Sequence, residues 1–195
     1  MAALNTPSSA NPLHERAMPA EELKSRTEWM TLTPDPWVEI ALLEYAGDRM
    51  FASSINDMVV KSEPAQHVVL EKQLLGALAT PGVTDAGRLF ICRMLGLVGS
   101  TVSVPALIPL LNDSKTADVA RLALDFIDDS AVTSAYRSAL AWLEGAPKSG
   151  LIGSIAMRGD TGALDALVAI TSNAAESPEV RIAAERAVKK LSSKS

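Results

Sequence analysis

Six arginines recur on segments whose apolar residues keep helical spacing: Arg88, Arg93, Arg121, Arg158, Arg181 and Arg186. A guanidinium presents a rigid fork of donors that matches a carboxylate, so such a series suits two tasks. It can grip an acidic peptide, or it can tie neighbouring helices together. Arg121 and Asp125 stand four residues apart, the spacing of an ion pair on one helix face. Arg93, Arg121, Arg158 and Arg181, with Asp125, are therefore the candidate partner-binding residues, and a strut between structural units is the favoured role for Arg121.

The remaining chemistry-bearing types are sparse. The two histidines are His14 and His67, and only His14 has an adjacent carboxylate, Glu15. An iron site built from several His-Glu pairs on facing helices is not supported, and a lone His67 reads as a solvated or hydrogen-bonded side chain. Cys92 is the single cysteine, so neither an internal disulfide nor a cysteine metal cluster can form. It lies in an apolar run and reads as a small buried hydrophobe. The stretch GAPKSGLIG, 145–153, lacks the Gly-Lys-Ser/Thr order of a phosphate-binding loop and reads as a turn followed by a helix start. Asp128-Asp129 reads as a turn that favours the next helix N-terminus, rather than a metal site. No Gly-x-Ser-x-Gly elbow is present. No catalytic, cofactor-binding or metal-ligating residue is assigned, and the chain reads as a non-enzyme that needs no cofactor.

The elements that must position these residues are helices. Aromatic residues make up 4% of the chain and hydrophobic residues 48%, a bias toward closely packed helices rather than a β-sandwich. The net charge of −5 argues against a generic nucleic-acid surface. No apolar run reaches the roughly 18 residues of a membrane span. The first residues lack the basic segment and apolar core of a secretory signal, which fits a cytoplasmic protein or a periplasmic one whose signal has been removed.

Residues 1–33, rich in Ala, Ser, Pro, Asn and Thr, read as a loosely attached leader, with Trp29 and Trp37 as its anchor onto the first helices. Residues 34–195 read as ten helices, at about 36–46, 48–61, 63–79, 84–98, 103–111, 115–127, 131–144, 148–158, 162–173 and 178–191. Their punctuation is Asp35-Pro36, Ser62-Glu63-Pro64, Thr80-Pro81-Gly82, Gly99, Asp113-Ser114, Asp128-Asp129-Ser130, Gly145-Ala146-Pro147, Asp160-Thr161 and Ser177-Pro178-Glu179. In the central pair, Ser103 and Pro105 are expected to open the first helix and Pro109 to kink or shorten it. The second helix of that pair is expected to bury Val119, Leu122, Ala123, Phe126 and Ile127 on one face, and helix three to carry Val68, Val69, Leu74, Leu75 and Leu78.

The chain also resembles itself. Arg93–Gly99 matches Gly153–Gly159 sixty residues on, with a small residue, Gly96 or Ala156, where helices must approach closely. Val119, Ala123 and Ile127 match Val180, Ala184 and Val188. Two units per roughly 60 residues means a helical pair about every 30.

The stretch GSTVSVPALIPLLND…ADVARLALDFI is similar to a HEAT repeat of the short bacterial type also found in phycobilisome-lyase-like proteins. The resemblance covers about residues 64–191. It implies an all-α, α-α superhelix, an armadillo-like α-solenoid of about five helical hairpins whose second helices line a concave face. It also implies inter-unit ladders in which a turn aspartate meets an arginine on the next helix, with Asp113 and Arg121 as the pair here. Such arrays mostly act as scaffolds for a protein or peptide partner. The alternative it leaves open is an accessory or lyase-like enzyme acting on a bound small molecule or chromophore. The polar surface of the last helix (Glu185, Arg186, Lys189, Lys190) reads as that of a capping helix.

Overall fold

The computed structural model describes residues 34–193. The expected leader, with Trp29 and the His14-Glu15 pair, lies outside the described residues. Within them the chain forms ten α-helices in the expected order and no strand. They are α1 (Pro36–Ala41), α2 (Met50–Val60), α3 (Pro64–Leu78), α4 (Asp85–Val98), α5 (Val104–Leu107), α6 (Ala117–Phe126), α7 (Ser130–Ala139), α8 (Gly145–Arg158), α9 (Leu164–Ser172) and α10 (Pro178–Ser192).

Each odd-numbered helix packs on the even-numbered helix that follows it, giving five hairpins. Each even-numbered helix also packs on the next even one, from α2 through α4, α6 and α8 to α10. The apolar side chains between them form one continuous core, running from Trp37 and Ile40 through Leu95, Leu124 and Ile155 to Leu191. At about 1.5–3 kcal/mol for each fully buried large aliphatic, this shared core stabilises hairpins that are too small to stand alone.

Local chemistry fixes the helix starts. Asp35, Thr84, Asp129 and Ser177 each accept a backbone N–H of the following turn, those of Trp37, Gly87, Ala131 and Val180. Several helix ends differ from expectation, among them that of α7, which stops at Ala139 and not near 144. α1 stops at Ala41, because the Ala41 carbonyl accepts the Thr84 N–H at 3.0 Å and the Thr84 hydroxyl donates to the Leu43 carbonyl. The start of α4 thus terminates α1, and Gly87 is needed there: a Cβ would stand 2.2 Å from the Ala41 carbonyl oxygen. α8 begins at Gly145, earlier than expected, because Pro147 falls in its first turn, where the missing N–H costs nothing.

In the central hairpin, Pro109 does shorten the first helix: α5 is one turn long and lies between 3₁₀ turns at Thr101–Ser103 and Ile108–Asn112. Ser103 stands at its N-cap position as expected but makes no side-chain cap bond, while Ser100 caps the preceding 3₁₀ turn by accepting the Val102 N–H. Gly99 and Gly159 end α4 and α8 by different means. Gly159 takes a left-handed φ of 71°, whereas Gly99 is extended and leaves no room for a Cβ beside the Leu95 carbonyl.

Side-chain links between hairpins repeat at the period of the sequence. The buried Glu71 carboxylate accepts the Ser100 N–H at 2.7 Å, the Ser100 hydroxyl at 2.8 Å and the Ser103 hydroxyl at 2.6 Å. Lys115 pairs with Asp85 thirty residues back, at 2.6 Å. Lys148, almost fully buried, pairs with Glu176. The buried Glu71 and Lys148 are thus each met by partners, as desolvation requires.

Candidate functional site

Four of the five candidate residues fall in two regions that differ in kind. The first is a polar knot. On α6, Arg121 donates through Nη1 to Asp125 Oδ2 (3.3 Å) and Ser154 Oγ (3.1 Å), and through Nη2 to Asp118 Oδ1 (3.3 Å). Ser154, buried on α8, donates to Asp125 Oδ2 at 2.8 Å. The Tyr136 hydroxyl of α7 lies 2.9 Å from Asp125 Oδ1 and 3.1 Å from the Arg121 carbonyl. Arg158 donates to the carbonyls of Asp125, in the last turn of α6, and of Ile127 and Asp129, which follow it. Three helices are joined through one carboxylate. Burial pushes the Tyr136 phenol well above its ordinary range, and the adjacent Asp125 charge adds to the shift.

Gly150 makes room for this knot, since a Cβ on it would stand 3.0 Å from Arg121 Nε. The order of the contacts also sets direction. Arg121 meets Ser154, and further along Asp125 and Ile127 meet Arg158, so α6 and α8 run parallel.

The second region is an apolar strip. Val60 of α2, Leu97 of α4, Leu122 and Phe126 of α6, and Met157 of α8 are all exposed, Phe126 at 66% and Met157 at 74%. Between α2, α4 and α6, Val60, Leu97, Leu122 and Phe126 border a groove of about 260 Å³. Its floor is Cys92, Gly96 and Ala123, and its polar lining is Asn56 and Arg93. Gly96 brings the helices close, with Ala123 Cα 3.4 Å and Phe126 Cδ2 3.6 Å from where its Cβ would be. Cys92 is fully buried, and desolvation pushes its thiol up to about 12, so it stays protonated at neutral pH.

The candidate residues therefore separate. Arg121, Asp125 and Arg158 come together in the knot. Arg93 stands on the strip, exposed, with no hydrogen bond or ion pair among the described residues. Arg181 lies half-buried on α10, apart from both regions. The expected ladder between Asp113 and Arg121 does not form. Asp113 instead accepts the Lys115 N–H in its own turn, and Arg121 is occupied by Asp118, Asp125 and Ser154. An arginine–aspartate pair forms instead between Arg137 of α7 and the buried Asp160, in addition to the Lys115–Asp85 and Lys148–Glu176 links. Among the described residues no group of three His, Cys, Asp or Glu could hold a metal ion, and no helix is long and apolar enough to cross a membrane.

The strip was missed in the sequence for a definite reason. Leu122 and Phe126 were expected in the core of their helix, yet Ala120, Ala123 and Leu124 fill it and those two face solvent. Val68 and Val69 likewise face out from α3, while Leu70, Leu74 and Ala77 are buried. The available signal was that α6 carries apolar residues around more of its circumference than one stripe requires. Compared with known proteins, the chain matches no family model, no curated protein and no solved structure.

Proposed function

We propose that this protein is a short HEAT-like α-solenoid that acts as a non-enzymatic scaffold, holding a protein or peptide on the face formed by its even-numbered helices. The observation that carries this reading is the strip itself. Val60, Leu97, Leu122, Phe126 and Met157 expose large apolar side chains on four successive helices of the same series. Contiguous apolar exposure of this kind marks binding surfaces, because water contact with it is unfavourable unless something covers it. The polar knot behind the strip supports the reading, since cross-bracing holds α6, α7 and α8 in fixed register and pre-organises the surface.

The test is a paired substitution, Leu122→Asp with Phe126→Asp, in the full chain. Both side chains are exposed, so the melting temperature should stay close to that of the parent. A partner recovered from the source cells by the parent chain should be lost by the double variant. Retention of every recovered partner by a folded double variant would contradict the proposal.

A further inference from the structure

The spacing of the strip, together with one uncompensated charge on it, points to the kind of partner. Successive even-numbered helices pack directly on one another. Packed helices lie about 8–10 Å apart. Leu97, Phe126 and Met157 therefore form a row with one apolar side chain per helix, at about that interval. Leu97 and Phe126 line one groove, and beyond it Lys190 of α10 reaches Met157 Sδ at 3.1 Å. A partner that lies along the row must present apolar side chains at the same interval on one side. An α-helix rises about 1.5 Å per residue, so residues seven apart share a face about 10.5 Å apart. An extended strand repeats a face every two residues, at about 6.6–6.8 Å, and falls out of step.

Charge narrows the class further. Asp57, one turn before Val60, pairs with Lys61 at 3.0 Å, and Asp118, one turn before Leu122, pairs with Arg121 at 3.3 Å. Arg93, one turn before Leu97 at the groove wall, has no partner among the described residues. At the far end of the row α10 exposes Arg186 and Lys189 beside one acid, Glu185. We infer that the strip takes an amphipathic helix of another protein, with apolar residues at seven-residue intervals and a carboxylate placed to meet Arg93. This rests on the scaffold reading above and names its partner class.

A library of random 20-residue peptides displayed on phage, selected on the full chain, tests both levels. Binders are counter-screened on the chain carrying Leu122→Asp and Phe126→Asp. The inference expects binders that need the strip, that share apolar residues seven apart with an acidic residue, and that become helical on binding by circular dichroism. Arg93→Glu should weaken a synthetic representative about fivefold, and exchanging its acidic residue for lysine should restore binding to that variant. Strip-dependent binders with two-residue apolar spacing, or indifferent to Arg93→Glu, overturn the inference and leave the scaffold reading standing. Binders that ignore the double substitution, or an empty selection, overturn both. Strip-dependent dimerisation of the free chain in sedimentation assigns the surface to a second copy and also overturns the inference.

Discussion

Two surfaces of one helix, α6, make the instructive contrast. One side carries Arg121 and Asp125, which spend their hydrogen-bonding capacity on Ser154, Tyr136 and Asp118. The other carries Leu122 and Phe126, which touch little and face water. Charged residues at helical spacing suggest function on paper, yet here they brace the fold, while leucine and phenylalanine that look like core are left on the surface. Polar side chains that find internal partners are consumed by structure. Apolar side chains left without partners are what remains for recognition.

The contrast can be broken or sharpened by substitution, beginning with the largest expected change in stability. Asp125→Ala removes one acceptor each from Tyr136, Ser154 and Arg121, leaving Tyr136 the Arg121 carbonyl and Arg121 its Asp118 and Ser154 contacts. It should lower the unfolding free energy by about 2–3 kcal/mol in urea denaturation, because the buried Ser154 hydroxyl loses its acceptor and the Arg121 guanidinium loses one of its two carboxylates. Tyr136→Phe removes a single hydroxyl from the knot and should cost about 1–1.5 kcal/mol.

The same tyrosine gives a pH test. Its phenol is held neutral in the fold by burial and by the nearby Asp125. In the unfolded chain it ionises near its ordinary value of about 10. Its contribution is fully present below that pH and is lost as pH rises above it, since the unfolded state then sheds a proton that the fold retains. The parent should lose stability above about pH 10 more steeply than Tyr136→Phe, as followed by thermal melts across that range.

The strip should behave in the opposite way. Phe126→Asp should change stability by no more than about 0.5 kcal/mol, because its side chain is already exposed, and should abolish strip-dependent binding. The smallest effect on the fold belongs to the groove floor. A thiol reagent should leave Cys92 unmodified in the native chain and react with it only after denaturation, since the thiol is buried and protonated. Rapid native modification, followed by mass spectrometry, would show that the floor opens.

Much of the fold was legible from local punctuation. Asp35-Pro36, Asp129 and Ser177-Pro178 start helices as read, and the close approach expected at Gly96 is present. The i,i+4 pair of Arg121 and Asp125 was legible too. What escaped depends on residues distant in sequence. Ser103 holds the N-cap position expected of it, but its hydroxyl donates to Glu71, 32 residues away, instead of capping the helix. Arg121 looked poised for Asp113, but Ser154, 33 residues on, takes one of its donors. The outward turn of Leu122, Phe126, Val68 and Val69 escaped for a related reason. Periodicity says that a helix has an apolar side, but only packing with neighbours on two flanks says which residues of a broad apolar side are covered.

The most direct measurement reads stability and binding together for one substitution on each side of α6. Asp125→Ala and Phe126→Asp are compared with the parent by urea denaturation and by affinity for a strip-dependent peptide. Asp125→Ala should lose about 2–3 kcal/mol of stability while its remaining folded fraction binds within about twofold of the parent. Phe126→Asp should keep its stability and lose the peptide. A stable Asp125→Ala chain that no longer binds, alongside a Phe126→Asp chain that binds as the parent does, would contradict the account and return recognition to the charged residues.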